Sequence, residues 1–323
     1  MGKPSTGIRV CAGIDVGKSS LFFAVAGGRG AGRCDNSPEG RARLVAALQE
    51  AGVERVGLES TGSYHFEIAE DLRAAEFEVV VLQPVQVRAY ATFKLRKAKS
   101  DPIDAALIAH CVAAVDDPRA PPDPRLAPLA EHLTFIEQLD EDLVRAKTRR
   151  DRYRDARLRQ GLEDEIKRLT ALKRAELRLL VAALRADKAL AHRLDLLTSI
   201  DGVGERTAVT LVVRVPELGR MSREEAASLL GVAPYIHESG RFKGQRRTGG
   251  GRARARTSLF AAAQVAARRW NPALIALYDR LIKAGKPHNV AIIACVRKMI
   301  IFANAVLARN EPWTQSQPKR AAG

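Results

Sequence analysis

The sequence predicts an α/β domain at the amino terminus, a long helical connector, and a mainly α-helical domain at the carboxyl terminus. Short apolar runs alternate with helical patterns over roughly the first 115 residues. A proline-rich segment follows, and helical periodicity with almost no glycine or proline then continues to about residue 197. The 323 residues leave room for all three parts. We predict boundaries at residues 8–117, 125–197 and 198–313.

The order of elements in the amino-terminal part predicts its fold. Apolar runs of strand length lie at residues 8–16, 21–26, around 33–34, 53–58 and 79–82. Ser37 before Pro38 is typical of a helix start, because serine caps free backbone N–H groups and proline fits the first helical position. Two further helices are predicted, over residues 64–75 and from Pro84 onward. The order β-β-β-α-β-α-β-α is that of an RNase H-like fold.

Prolines mark the linker that follows: Pro118, Pro121, Pro122, Pro124 and Pro128. Beyond them, apolar residues recur every three or four positions in two stripes: Leu129, Leu133, Ile136 and Leu143, and then Leu162, Ile166, Leu169 and Leu180. This pattern predicts two long helices with a break near Gln160 and Gly161. The stripes fit either a coiled coil with a partner or a helical hairpin packed on its own domain.

The carboxyl-terminal part begins with a predicted helix-hairpin-helix over residues 199–208. Its glycines, Gly202 and Gly204, permit a tight turn whose backbone N–H groups can bind a phosphate. Further helices are predicted over residues 223–230, 257–269 and 289–307. Within the last of these, the apolar stretch 299–308 is too short to span a bilayer.

The charge of the chain favours a nucleic-acid partner. Its formal net charge is +16, and lysine and arginine bind phosphates with release of counterions. A basic membrane-surface protein is the alternative, but no long basic amphipathic helix with an aromatic face is visible. The four cysteines are scattered without a CxxC pair, which argues against a zinc site or a disulfide framework. We therefore expect a cytoplasmic protein without a membrane partner.

Four carboxylates form the candidate metal site. Asp15 lies near the end of the first predicted strand, and Glu59 ends a later one. Asp101 and Asp104 lie one helical turn apart, with Asp101 predicted as the N-cap and Pro102 at the first helical position. The fold order brings all four to one end of the sheet, where converging acids need a cation between them. Oxygen ligands of this kind suit Mg²⁺ or Mn²⁺, although each acid alone also fits a plain cap or surface residue.

Ser239 precedes a basic, glycine-rich segment. Residues 240–256 contain seven cations, five glycines and no acid, a composition typical of a segment that follows a phosphate backbone. The hydroxyl of Ser239 would need a base or a metal ion to become a nucleophile, and a plain loop serine is the alternative. The predicted nucleic-acid contacts are Arg241, Lys243, Arg246, Arg247, Arg252, Arg254 and Arg256, together with Lys94, Lys97 and Lys99.

Six short motifs resemble a known family. They are GIDVGK at 13–18, LESTG at 58–62, KSDPIDA at 99–105, IDGVG at 200–204, LGVAP at 230–234 and ESG at 238–240. The family is the insertion-sequence transposases with an Asp-Glu-Asp-Asp, RuvC-like amino-terminal domain and a serine-bearing carboxyl-terminal domain. Pilin-gene invertases and bridge-RNA-guided recombinases are similar to them. The order and spacing of the motifs match over nearly the whole chain.

The resemblance implies that the four acids bind Mg²⁺ or Mn²⁺ and that Ser239 forms a covalent phosphoserine link to DNA. It implies donor and target DNA as substrates, a noncoding bridge RNA that pairs with both, and a homodimer or homotetramer with a coiled-coil connector. It also implies association with the bacterial nucleoid. Two positions depart from the family pattern. Glu238 replaces a frequent serine, and residues 251–256 replace a Lys-Arg-Gly-Asn sequence.

Three other hypotheses fit parts of the sequence. A hydrolytic RuvC-like nuclease, of the junction resolvase type, would use the four acids with water and would not need Ser239. An actin-like sugar kinase or ATPase would share the phosphate loop at residues 13–18, but a second glycine-rich phosphate loop and an adenosine pocket are missing from the sequence. A nucleic-acid-binding protein without enzymatic activity would function without Asp15.

Overall fold

The computed structural model describes residues 9–28, 30–60, 64–96, 100–116, 123–235 and 247–314, and the backbone of residues 238–239 and 242–243. The chain divides into two compact units, Met1–Pro122 and Asp123–Gly323. Each unit has hydrophobic core clusters of its own. Of the prolines that mark the predicted linker, Pro118, Pro121 and Pro122 lie outside the described residues, whereas Pro124 and Pro128 lie in the second unit.

The first unit contains a five-stranded mixed sheet. Its strands are β1 (Cys11–Val16), β2 (Ser20–Val25), β3 (Ala31–Asp35), β4 (Arg55–Glu59) and β5 (Glu78–Leu82). Its helices are α1 (Pro38–Glu50), α2 (His65–Ala74), α3 (Pro84–Phe93) and α4 (Asp101–Ala113). The strand order is β3-β2-β1-β4-β5, in which β2 is antiparallel to its neighbours and β1, β4 and β5 are parallel. The predicted α/β class and order of elements are confirmed.

The predicted N-caps of two helices in this unit have different outcomes. Ser37 caps α1 as predicted, since its Oγ accepts a hydrogen bond from the Gly40 N–H at 3.1 Å. The prediction that Asp101 caps α4 is wrong. Ser100 has the extended backbone of a cap, and its carbonyl oxygen accepts the first helical hydrogen bond from the Asp104 N–H at 2.8 Å. Asp101 is therefore the first residue of the helix.

Helix α4 packs directly on the middle of the sheet. A Cβ added at Gly13 of β1 would lie 2.3 Å from the Ala105 carbonyl oxygen and 2.2 Å from the Ala109 nitrogen. A Cβ added at Gly57 of β4 would lie 2.9 Å from the Cβ of Val112. Glycine on both strands thus lets the helix backbone approach the sheet more closely than any side chain would allow.

Arg55 fixes the opposite end of the same helix. This buried arginine donates from Nη1 to the Val115 carbonyl oxygen at 2.6 Å, just beyond the end of α4. Its Nε and Nη2 atoms donate to the two carboxylate oxygens of Glu78 at 2.9 and 3.0 Å. Because Arg55 begins β4 and Val115 follows α4, the helix runs antiparallel to β1 and β4. Its first turn therefore lies toward the carboxyl ends of these strands.

The second unit is predominantly helical. Its helices are α5 (Leu126–Arg152), α6 (Ala156–Ala186), α7 (Lys188–Thr198), α8 (Glu205–Arg214), α9 (Arg223–Leu229), α10 (Ala253–Val265), α11 (Pro272–Lys283) and α12 (His288–Arg309). A π-helical turn, Ala266–Trp270, continues α10. The turn between α7 and α8 contains Gly202 at φ +89°, where an added Cβ would lie 2.3 Å from the Cβ of Ala266. The predicted helix, glycine turn and helix are thus observed.

The connector departs from its prediction in the position of its break. The predicted break near Gln160 and Gly161 is wrong, because α5 ends at Arg152 and α6 begins at Ala156. Asp155 starts the second helix by accepting hydrogen bonds from two backbone N–H groups at 2.8 and 3.1 Å. Gly161 lies inside α6, where no atom comes within 4 Å of an added Cβ. Asp187 caps the separate helix α7, which the sequence pattern joined to α6.

The connector helices form an antiparallel hairpin. Leu139 and Leu143 of α5 share a core cluster with Leu169 of α6, and Lys173 donates to Asp140 at 2.7 Å. Nearer the base, the apolar stripe of α5 joins the main core of the second unit. The hairpin packed on its own domain is therefore observed, and the coiled coil with a partner stays a prediction.

Helix α12 is the central core helix of the second unit. It has 22 residues, and by length and composition it is the one helix among the described residues that could cross a membrane. Reasoning from residues 299–308 alone therefore underestimated its length. More than half of its apolar window is buried within the unit. The burial of Val296, Met299 and Ile300 accounts for the apolar sequence, because these side chains contribute to the core.

Candidate active site and nucleic-acid-binding residues

Two of the predicted metal ligands lie side by side on the sheet. The parallel register of β1 and β4 pairs Gly13 with Gly57, so Asp15 and Glu59 are level with each other two residues further along. Side chains alternate between the faces of a sheet, so each acid lies on the same face as the glycine two residues before it. Those glycines contact α4. Both half-buried carboxylates therefore lie on the face of the sheet that α4 covers.

The other two acids lie in the first turn of α4. The helix comes closest to Gly13 between Ala105 and Ala109 and continues, toward its amino end, in the direction of Asp15. From Gly13 to Asp15 the strand advances about 6.6 Å, and one turn of helix toward the amino end of α4 covers about 5.4 Å. The first turn of α4 is therefore approximately level with Asp15. Asp104 is half-buried and Asp101 is exposed. The first turn of α4 therefore lies at the same end of the sheet as Asp15 and Glu59.

The acids share an edge without forming a closed coordination sphere. In the part of the chain that the structure describes, no group of three or more His, Cys, Asp or Glu side chains is close enough to hold a metal ion. The donor set nevertheless consists entirely of carboxylate oxygens, which suit Mg²⁺ and Mn²⁺. Ligation requires the side chains to turn toward a common point, which exposed and half-buried carboxylates at the edge of a sheet can do.

Ser239 lies in a short β-hairpin. The strand β6 (Glu238–Ser239) pairs antiparallel with β7 (Phe242–Lys243), and Ser239 is opposite Phe242. Further from the connection, Tyr235 and Arg247 exchange backbone hydrogen bonds at 2.9 and 3.3 Å. The alternative of a plain loop serine is therefore not observed for the backbone, because strand pairing holds the residue.

The base of this hairpin is held by close backbone contacts between glycines. Gly231, just after α9, has φ +72°, and an added Cβ would lie 2.2 Å from the Gly250 carbonyl oxygen. Gly251, just before α10, has φ +62°, and an added Cβ would lie 2.5 Å from the Gly231 nitrogen. Only glycine combines this backbone conformation with this proximity. The contact explains Gly251 of the basic segment, and Gly231 before it, without a ligand.

Three of the predicted phosphate-binding arginines make contacts within the second unit. Arg252 donates to both carboxylate oxygens of Glu217. Arg254 donates from Nη1 to Glu137 at 2.8 Å, with its own side chain 57% exposed. Arg256 donates to two backbone carbonyl oxygens near the glycine contact. These bonds anchor the base of the hairpin, and the DNA contacts of the three arginines stay a prediction.

The remaining predicted cations divide into two groups. Lys94 follows α3, and its Nζ lies 5.6 Å from the ring centroids of both Tyr90 and Phe93. Arg247 is exposed. The structure does not describe the side chains of the other predicted contacts, which are Lys97, Lys99, Arg241, Lys243 and Arg246. The same holds for the hydroxyl of Ser239.

Arg55 is a positioning residue that the sequence analysis missed. Its bonds to Glu78 and to the end of α4 determine where the first turn of that helix lies. The hydrogen bond from Arg55 is the main reason that the pKa of the Glu78 carboxyl lies below its usual value. A signal was present in the sequence, because Arg55 directly precedes the uncharged run 56–58 of a predicted strand.

Two family models match this chain. One, described as "Transposase", matches residues 12–162, and the other, described as "Transposase IS116/IS110/IS902 family", matches residues 194–279. The chain belongs to this transposase family. The transposase is also similar to the pilin gene-inverting proteins of Moraxella bovis and Moraxella lacunata, with 27% and 26% identity over 267 residues. Each match covers 79% of this chain and 80% of the relative. The protein is thus a DNA transposase or recombinase.

Proposed function

We propose that this transposase cuts and rejoins DNA through a covalent phosphoserine intermediate. Ser239 is the nucleophile, and Asp15, Glu59, Asp101 and Asp104 hold Mg²⁺ or Mn²⁺. The observation that supports the proposal is that Asp15 and Glu59 are level on one face of the sheet, with the first turn of α4, which carries Asp101 and Asp104, approximately level with Asp15. The strand order β3-β2-β1-β4-β5 supports the finer assignment of the first unit as RNase H-like, and specifically RuvC-like.

In the proposed reaction, the Oγ atom of Ser239 attacks a phosphorus atom of the DNA backbone. The Oγ–P bond forms as the bond from phosphorus to one deoxyribose oxygen breaks, and the hydroxyl proton passes to the solvent or to the leaving oxygen. Rejoining reverses these changes, with a hydroxyl of the new partner strand replacing the serine. A bound divalent ion supplies charge stabilisation for the attacking and leaving oxygens. Phosphodiester bonds are conserved, so no energy-rich cofactor is needed.

The nucleophile is tested with Ser239→Ala. With Mg²⁺ and DNA substrate, the wild-type protein should form a protein–DNA adduct that survives denaturation, and Ser239→Ala should form none. The matched control is Ser228→Ala, because Ser228 lies in the same unit and, among the described residues, its hydroxyl bonds to the Tyr235 hydroxyl at 3.1 Å. Strand cleavage that continues in Ser239→Ala would favour the hydrolytic nuclease instead.

The metal site is tested with two substitutions on one strand. Glu59→Gln removes a proposed ligand at the end of β4, whereas Glu54→Gln changes an exposed acid just before the same strand. Loss of even an outer partner of a metal ligand typically costs 10–100-fold, so Glu59→Gln should lower adduct formation by about 100-fold or more. Glu54→Gln should retain it. Equal activity of the two variants would remove Glu59 from the site.

We further propose that a noncoding bridge RNA pairs with donor and target DNA and that the active form is a homodimer or homotetramer. Pairing between the RNA and each DNA would then recognise the DNA sequence, while the protein binds the sugar-phosphate backbones. The resemblance of the six motifs supports this part of the proposal. Sequencing RNA that copurifies with the protein tests it. One structured RNA is expected, and its absence would favour a recombinase that reads DNA through protein contacts.

A further inference from the structure

A groove of about 790 Å³ lies on the second unit between α9, α11 and α12. Four cations line it: Arg223, Arg280, Arg297 and Lys298. The rest of the lining is apolar, with aliphatic side chains and Phe302. Among the residues that the structure describes, no Asp or Glu lines the groove. The groove therefore concentrates positive charge without an internal counter-charge.

The arginines of this groove differ from two paired arginines of the same unit. Arg214 and Arg252 form ion pairs with glutamates, at 2.9 Å for Arg214. Among the described residues, neither Arg223, Arg280 nor Arg297 forms an ion pair. Like charges close together repel each other, so such a groove attracts an anion from solution.

The sequence of α12 points to the same surface. Arg297 and Lys298 are the only charged residues between positions 289 and 308, and both are half-buried. Lys298 donates to the Ala273 carbonyl oxygen at 3.3 Å, and its Nζ lies 5.7 Å from the Phe302 ring centroid. Lys298 thus ties α12 to α11, whereas Arg297 has no hydrogen bond or ion pair among the described residues. A ligand in the groove would account for Arg297.

We propose that this groove binds the phosphate backbone of duplex DNA, as a contact separate from the basic segment that follows Ser239. Arginine and lysine are the side chains that bind phosphate oxygens through charge-assisted hydrogen bonds. A single strand would need exposed aromatic rings for base stacking. The one aromatic in the lining, Phe302, is only 7% exposed and packs on Trp313 with ring centroids 4.2 Å apart. The inference rests on the DNA substrate of this family and does not depend on Ser239 as nucleophile.

The test measures salt-dependent DNA binding by two matched triple variants of the full chain. The groove variant is Arg223→Gln/Arg280→Gln/Arg297→Gln. The control, Arg268→Gln/Arg269→Gln/Arg309→Gln, removes the same charge from exposed arginines of the same unit that do not line the groove. The probe is a fluorescent mixed-sequence duplex, and its anisotropy is followed over a series of NaCl concentrations without divalent ions.

Each lost phosphate contact should reduce the slope of log K against log[salt] by about 0.9. The groove variant should therefore lose roughly two to three units of slope and about tenfold or more in affinity, and the control should lose clearly less. An Arg223→Lys/Arg280→Lys/Arg297→Lys variant should retain most of the slope. Equal losses in the groove variant and the control, or a loss confined to an RNA probe, would overturn the proposal.

Two further measurements keep the result interpretable. Circular dichroism should show that the groove variant is folded, and Arg280→Gln alone, at an exposed site on α11, should reduce the slope by about 0.9 if the triple variant does not fold. Ser239→Ala should bind the duplex with the wild-type slope. An adduct formed by Ser239→Ala would refute the proposed nucleophile while leaving the groove result valid.

Discussion

Gly13 lies where α4 comes closest to the sheet, and one added methyl group there should separate the two. In Gly13→Ala, the new Cβ would lie 2.2 Å from the Ala109 nitrogen and 2.3 Å from the Ala105 carbonyl oxygen. Ordinary contacts begin at 3.4 Å, so α4 must retreat by about 1 Å. Both clashing atoms belong to the backbone, so no change of rotamer relieves the contact.

This displacement should affect stability and activity together. Overpacking a close contact typically costs about 1–3 kcal/mol, and we expect a value near 3 kcal/mol because a whole helix must move. The same shift carries Asp101 and Asp104 away from Asp15 and Glu59. Misplacement of reacting groups by about 1 Å can lower a rate by about 100-fold. Adduct formation should therefore fall by about that factor even in protein that remains folded.

Two measurements check this expectation. Urea unfolding gives the change in the free energy of unfolding, and the rate of adduct formation gives the change at the acid edge. Gly161→Ala is the matched control, because this exposed glycine of α6 has no atom within 4 Å of an added Cβ. It should stabilise the protein by up to about 1 kcal/mol without affecting the adduct rate. A Gly13→Ala protein with wild-type stability and rate would refute the proposed role of the close approach.

Three further outcomes follow from buried polar and thiol groups. Arg55→Leu should destabilise the protein by about 1–3 kcal/mol, measured by urea unfolding, because it leaves two carbonyl groups near the end of α4 without their donor and leaves the partly exposed Glu78 with its bond from Arg9. Arg55 holds the pKa of Glu78 below its usual value, so this contribution is present above the unfolded pKa of about 4.3 and is lost as pH falls through the lower folded pKa. The stability difference between wild type and Arg55→Leu should consequently shrink between about pH 6 and about pH 3, and a constant difference would contradict the linkage. Burial raises the pKa of Cys295 to about 11, so iodoacetamide at about pH 8 should modify this thiol only after unfolding, as peptide mass spectrometry would show.

The sequence predicted the amino-terminal sheet well because its signals are local. Apolar runs identified the strands, and Ser37 with Pro38 identified the start of α1. The common edge of Asp15 and Glu59 followed from the order of strands alone, since the ends of parallel strands meet at one edge. The close approach of α4 required the structure, because a glycine in a strand has several explanations and only the packing distinguishes them.

The helical half was predicted less accurately where two signals competed. Gly161 is a common helix breaker, but it lies on the exposed side of α6, where it costs only about 1 kcal/mol. Asp155 is the stronger boundary, since its carboxylate satisfies two backbone N–H groups at once. The same competition occurs at α4, where Ser100 and Asp101 are both good caps. The backbone path into the helix selects between them, and a sequence pattern does not contain that path.

The density of cations in the sequence also does not identify which of them can bind DNA. Arg252 and Arg256 stand in the most basic part of the chain, yet their guanidinium groups are occupied by Glu217 and by backbone carbonyl oxygens. Arg280 and Arg297, in ordinary helices, form no ion pair among the described residues and face a groove without acids. A phosphate must replace the existing partner of a paired arginine but needs only to displace water from an unpaired one. The charge available to DNA is therefore determined by unpaired cations on one surface, and the salt dependence of the groove variant measures that quantity directly.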